Sequence, residues 1–290
     1  MAPRNGRRWA GLWETDYGRM RLSQHGNSVE GVYAGAGHGS LRATGRGEET
    51  LTFRYREKHA SGEGRFTLSA DGREFTGQWR TRAKGEWKPW NGRRAEPTPG
   101  ITWLVVLEAY WQRSLAEPEY AYGSMLRELF ARQPLVRVRQ RFFHDTGSLL
   151  HWCSEVAYLA EPAIVMIASH GLPDGLSVRG EIVETRRVLE SLGHADNLRL
   201  LHFSSCLVGA DGRDLLRGRP WPVSGYATAV DWGASALIEF TYLDLMLNRG
   251  LSPARAAAAL KKLVPYSGER VPLGSPYRAA GLRFFRPRRA

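Results

Sequence analysis

The chain has 290 residues, 42% hydrophobic and 24% charged, a globular balance with room for one large domain or two ordinary ones. No apolar run reaches the ~20 residues of a membrane-crossing helix, and two cysteines, Cys153 and Cys206, are too few for a disulfide framework. The net charge of +12 is carried almost wholly by arginine; because most of it is scattered, nucleic acid is not an expected partner.

The basic N-terminus gives way at Trp9 to alternation rather than to the apolar block of a signal peptide. Free thiols and no leader point to the cytoplasm. The two clustered ends, Arg4/Arg7/Arg8 and Arg283/Arg286/Arg288/Arg289, read as solvated tails.

From Trp9 to Arg94 the period is two, and turn signals recur every few residues. Short strands are predicted around Leu12-Trp13, Met20-Arg-Leu22, Val29–Tyr33, Leu41–Thr44, Leu51–Tyr55, Gly64–Leu68, Phe75–Trp79 and Trp87–Trp90. Turns fall at His25-Gly26-Asn27, Gly35–Gly39 and Asp71-Gly72. About eight antiparallel strands suit a small closed barrel over residues 1–95, because closure removes open edges. The spacing of Gly11-Leu-Trp13, Gly26 and Gly31-Val-Tyr33 resembles the opening of avidin-like or lipocalin-like barrels. Side chains fill most barrels of this size, so a protein-docking or regulatory module is favoured over a ligand carrier. Trp79, Trp87 and Trp90 are read first as barrel core, and second as a recognition surface.

Asn91 to Gly100, rich in Gly and Pro, reads as a linker, with residues 96–100 as its centre. Beyond it, from 101 to 290, strands alternate with helices. Trp103–Leu107, Leu135–Phe143, Ala163–Ala168, Leu198–Phe203 and Trp221–Ala227 read as strands. Glu119–Arg132, Ser148–Leu159, Gly180–Leu192, Trp232–Leu247 and Pro253–Leu263 read as helices. The first of these helices carries Met125, Leu126, Leu129 and Phe130 on one side. The alternation predicts an α/β unit with a mainly parallel sheet.

Sites in open α/β sheets form beyond the carboxyl ends of strands. The third strand ends in Ala168-Ser169-His170-Gly171, and the fourth in Ser204-Ser205-Cys206. A crossover helix between them makes the strands parallel and brings both residues to one edge. A thiol and an imidazole so placed form a nucleophile–base pair. Cys153, inside a helical stretch, reads as core. His202 alternates with apolar strand residues and reads as facing a helix. No zinc-ligand spacing and no phosphate-binding loop appears, so neither a metal nor a cofactor is expected.

The blocks Ile164-Val-Met-Ile-Ala-Ser-His170-Gly171 and Leu200-Leu-His-Phe-Ser-Ser-Cys206 resemble the signature of the caspase-like cysteine peptidases. That superfamily includes caspases, metacaspases, gingipains, legumain, separase and bacterial CHAT-type proteases. The resemblance spans roughly Thr102 to Leu263. The separation of 36 positions from His170 to Cys206 is shorter than the ~50 of caspases, and Ser-Ser-Cys replaces their Gln-Ala-Cys. The match is therefore to the broad superfamily, in a bacterial branch. It implies a caspase-like three-layer α/β sandwich following the N-terminal all-β antiparallel barrel. It implies Cys206 as nucleophile, His170 as acid–base, and the N–H groups of Gly171 and Cys206 as oxyanion hole. It implies a protein substrate, and regulated proteolysis in stress or antiphage responses. Val223 to Ser235 would line the pocket for the residue before the cut. There Asp231, flanked by Trp232, would select a basic side chain or simply cap the next helix. Asp174, in Pro173-Asp174-Gly175, is a second acidic candidate or a plain turn. Arg93-Arg94 and Arg217-Gly218-Arg219 are candidate self-processing sites. The alternative is a non-catalytic interaction protein on the same fold.

Overall fold

The computed structural model describes residues 8–35, 38–45, 49–81, 85–112, 114–117, 120–210, 215 and 219–287. Arg4, Arg7, Arg217, Arg288 and Arg289, the start of the helix expected at Glu119, and the middle of the Gly35–Gly39 turn lie outside them. The chain divides into two compact units, residues 1–97 with 157–160, and residues 98–156 with 161–290.

The first unit is an antiparallel barrel of β1 (Gly11–Thr15), β2 (Gly18–His25), β3 (Ser28–Tyr33), β4 (Gly39–Gly45), β5 (Thr50–Arg56), β6 (Ser61–Leu68), β7 (Glu74–Thr81), β8 (Lys88–Pro89) and β9 (Gly92–Arg94). Neighbours pair in sequence from β1 to β7, and β9 lies between β7 and β1. Eight strands thus close the barrel, while β8 pairs only alongside β7. Alternation sets the inside: on β5, Leu51, Phe53 and Tyr55 are buried and the intervening residues are exposed. The interior is filled by aromatic rings. Phe66 lies with its ring centre 4.3 Å from both Phe53 and Phe75, and 5.3 Å from Trp90. Gly64 makes room for this packing, since a Cβ there would stand 2.2 Å from the Phe53 ring.

The three tryptophans separate. Trp90 is core, Trp79 packs against the core from its margin, and Trp87 is exposed beneath Arg65 and Arg80. The linker expected from Asn91 onward begins later, because β9 is the strand that closes the barrel. Arg94 is correspondingly no exposed linker residue. Its guanidinium lies over the Trp13 ring and donates to the carbonyls of Arg8, Ala10 and Gly72. Burial lowers its pKa.

The second unit contains β10 (Thr102–Ala109), α1 (Tyr122–Phe130), β11 (Val136–Phe143), α2 (Thr146–Glu155) and β12 (Ala163–Ala168). There follow β13 (His170–Leu172), β14 (Gly175–Val178), β15 (Glu181–Glu184), α3 (Thr185–Ser191), β16 (Leu198–Ser204) and β17 (Val223–Tyr226). The last elements are α4 (Trp232–Leu247), α5 (Pro253–Leu263) and β18 (Leu282–Phe285). Its main sheet runs β11-β10-β12-β16-β17-β18. The first five strands are parallel, and β18 is antiparallel to β17. One face of the sheet, with Leu104, Val106, Ile164, Met166 and Leu200, is buried in a single core with residues of α1, α4 and α5. The helices α2 and α3 pack on one another. Among the described residues no helix is long and apolar enough to cross a membrane.

Four expectations need correction here. The helix expected at Gly180–Leu192 is only α3; before it lies a separate three-stranded antiparallel sheet, β13-β14-β15. Its second turn, Arg179-Gly180, has φ of 49° and 89°, the two-residue hairpin geometry with positive φ at both positions. On α1, Leu126 and Phe130 are buried but Met125 and Leu129 are exposed. Arg283 is no tail residue: it sits on β18, bonded to Glu269 and to the Ala210 carbonyl. Arg219 is partly buried, and this burial lowers its pKa.

Among the described residues β11 ends the sheet, pairing only with β10. Arg137 and Arg139 lie over the Trp103 ring and Arg141 over Trp152, all at 5.3–5.6 Å from ring centre to guanidinium.

Candidate active site

β12 and β16 are parallel neighbours, in unbroken register from Ile164 opposite Leu200 to Ala168 opposite Ser204. The residues that follow them therefore emerge at the same edge of the sheet. Two buried serines tie those ends together. The Ser169 N–H donates to Ser205 Oγ at 3.3 Å, the two hydroxyls stand 3.4 Å apart, and Ser205 Oγ reaches the Ile167 carbonyl at 3.5 Å. Each serine immediately precedes a candidate catalytic residue.

Gly171 completes the junction. A Cβ on it would stand 2.0 Å from Cys206 O, 2.9 Å from Cys206 N and 2.9 Å from Ser205 Cβ. The backbones of the His170 and Cys206 loops are therefore in direct contact, and only glycine permits it.

Cys206 is half-buried on a sharp bend. The Val208 N–H donates to Cys206 O at 2.8 Å, and Leu207 between them has φ of 65°. That is a γ-turn with positive φ at its centre, a rare and strained form. The thiol accepts from Val230 N at 3.4 Å and faces Val230 O at 3.7 Å. Cys153, by contrast, is fully buried on α2, and burial pushes its thiol far up.

His170 opens the small sheet, opposite Ser177, and is exposed. Its ring meets that of Trp111 at right angles, with centres 5.1 Å apart. Among the described residues no hydrogen bond joins the side chains of His170 and Cys206.

The specificity candidates fall as follows. Asp231 caps α4, with Oδ1 accepting from Ala234 N at 3.0 Å. Trp232, 44% exposed, stands edge-to-face against Tyr120 and Tyr122 at 4.4 and 4.9 Å. Asp174 is exposed in the two-residue turn between Leu172 and Gly175, at the tip of the hairpin that begins with His170.

Two fully buried acids escaped the sequence reading. Glu108, fully buried at the end of β10, accepts from Trp111 Nε1 (2.9 Å), Tyr122 N (2.6 Å), Gly123 N (3.0 Å) and Gln140 Nε2 (2.7 Å). It caps α1, whose own N-cap position, Ala121, has no side chain to do so. Glu239, fully buried on α4, stands 3.2 Å from His202 Nε2 and accepts from Tyr226 OH at 3.0 Å. His202 Nδ1 lies 2.9 Å from Ser224 Oγ, and one tautomer satisfies both partners, with the proton on Nε2. Burial, then Glu239, then more distantly Cys206, holds the Tyr226 hydroxyl well above its ordinary pKa. The Tyr122 hydroxyl faces the same carboxylate without a well-formed hydrogen bond; burial and then Glu239 raise it too. Ser224, His202 and Glu239 have the order of a catalytic triad but are sealed from solvent, so they act as an internal strut. The available signal was a carboxylate inside each of two otherwise apolar stretches, Val105-Val-Leu-Glu108 and Leu237-Ile-Glu239-Phe240, since buried carboxylates require partners.

No family model matches this chain, and no curated protein matches it. Among solved structures, a redesigned β-barrel is similar to 31% of this chain over 93% of its own length, at 15% identity and a TM-score of 0.27.

Proposed function

We propose that the second unit is a caspase-like cysteine endopeptidase with His170 and Cys206 as its dyad. The observation that carries this reading is the contact of Gly171 with the Cys206 backbone, which holds an imidazole loop and a thiol loop at one point of the sheet edge. Sulfur attacks the scissile carbonyl, and His170 carries the thiol proton to the leaving amine as the C–N bond breaks. Water then hydrolyses the thioester. The adjacent N–H groups of Gly171 and Cys206 are the oxyanion donors. A basic residue before the cut would meet Asp231 through Oδ2, since Oδ1 is engaged by the helix cap, with Trp232 beside it and Asp174 as the second acid. The barrel serves as a docking site for a substrate or regulatory protein, in a cytoplasmic stress or antiphage role.

The test is a peptide-library cleavage assay with the full chain and its Cys206→Ala variant. We expect cuts after Arg or Lys by the native protein only. Equal cleavage by the variant overturns the mechanism, and a preference for Asp or neutral residues overturns the role of Asp231.

A second reading, a non-catalytic interaction protein, is favoured by the pairing of Sγ with Val230 rather than with His170. It predicts no cleavage of any library peptide, and alkylation of Cys206 no faster than that of a free model thiol at neutral pH.

A further inference from the structure

We propose that Glu108 and Trp111 form a bracket that positions His170; this rests on reading His170 and Cys206 as an acid–base and nucleophile pair. His170 needs such a support because it is carried on β13, in a small sheet separate from the six-stranded one. A hairpin start alone leaves an exposed imidazole several rotamers. Glu108 supplies the fixed point. It is fully buried at the end of β10, the strand beside β12, and four donors from Trp111, α1 and β11 converge on its two oxygens. A carboxylate so held cannot move without stranding two backbone N–H groups.

Trp111 is tethered to that point by its indole N–H, and its ring meets the His170 ring at 90° and 5.1 Å. This edge-to-face arrangement is a preferred aromatic geometry. The indole, held by Glu108, thus limits rotation of the imidazole that carries the thiol proton. Glu108 and Trp111 are positioning residues: one acts through the other, and neither takes up the proton.

The experiment compares Trp111→Leu, Trp111→Phe and Glu108→Gln in the full chain, each also combined with Cys206→Ala. Activity is measured on the best library peptide, and the His170 side-chain rotamer is read from NMR couplings in the Cys206→Ala background. We expect Trp111→Leu to lower kcat roughly 10- to 100-fold while KM stays within about 3-fold, as for a misplaced catalytic group. Trp111→Phe, which keeps an aromatic ring but loses the N–H tether to Glu108, should recover only part of that loss. The imidazole should average over rotamers in Trp111→Leu, and less so in Trp111→Phe. Glu108→Gln, which keeps the size but loses the charge, should fall between the two.

A His170 side chain that keeps one rotamer in a folded Trp111→Leu protein overturns the bracket. So does a rise in KM at constant kcat, which would make Trp111 a wall of the substrate cleft. If the native protein cleaves nothing, the peptidase reading falls, and the His170 rotamer still decides whether the bracket exists.

Discussion

A methyl group on Gly171 would be driven into the Cys206 carbonyl at 2.0 Å, and that obstacle is backbone, which cannot rotate aside. Gly171→Ala should therefore separate the two loops, lower thermal stability by about 1–3 kcal/mol, and slow both cleavage and Cys206 alkylation. Native stability and activity together would remove Gly171 from the junction. Ser205 bears on the same joint from below. Ser205→Ala leaves the Ser169 N–H without its acceptor, a loss of about 1–3 kcal/mol measurable by chemical denaturation. The sequence showed these positions as small residues flanking His170 and Cys206, and small size is part of their role. It could not show that the two hydroxyls bond across strands, nor that Leu207 takes a positive φ. Both depend on which strands are neighbours, which is settled by the whole sheet and not by any local pattern.

Single elements are held by buried acids as much as by apolar faces. Helix α4 was legible from end to end, because Asp231 caps its start and its apolar residues run through to Leu247. Its link to the sheet was not, because Glu239 reads as an ordinary helical glutamate until His202, Ser224 and Tyr226 surround it. Removing the carboxylate leaves these groups buried and short of a partner, so Glu239→Ala should cost about 3–5 kcal/mol in denaturant unfolding. Entry to β10 is tied by another acid. Burial alone would raise the pKa of Glu161, but hydrogen bonds from Trp103 Nε1 and from Thr98 Oγ1 and N–H outweigh it and hold the carboxyl below its ordinary range. A lowered folded pKa gives stability that is present above the unfolded value of ~4.3 and lost as pH falls through the folded one. Glu161→Gln should accordingly destabilise the protein at neutral pH, with the gap to native closing in melts taken below about pH 4. A gap independent of pH would assign its cause to geometry instead of charge. The hairpin over Gly175–Glu184 was missed because its strands are four residues long and the following helical residues dominate any wider window.

For the whole molecule, alternation on one side and strand–helix succession on the other were enough to expect a closed barrel before a mainly parallel α/β unit. The closing strand β9 and the antiparallel strand β18 were not foreseen. One is three residues in a Gly-rich stretch, and the other follows a Gly- and Pro-rich run near the last residues. The barrel core is built of rings centred on Phe66. Phe66→Ala should destabilise it by about 3–5 kcal/mol, read from denaturation followed by tryptophan fluorescence; a loss under 1 kcal/mol would mean that the interior collapses to fill the gap.

Closure leaves the barrel with no long open edge, but the larger sheet ends at β11, and there Arg137, Arg139 and Arg141 stand every second residue over Trp103 and Trp152. If two copies met along this edge, ladder upon ladder, arginine would face arginine at each step, and the mutual repulsion would oppose the ribbon that bare strand edges tend to form. Such a guard weakens as the Debye length shrinks from ~10 Å at 0.1 M salt to ~3 Å at 1 M. Concentrated salt thus takes from this protein a restraint on its own clumping, and light scattering should rise with ionic strength, most sharply when the three arginines are replaced by neutral glutamines.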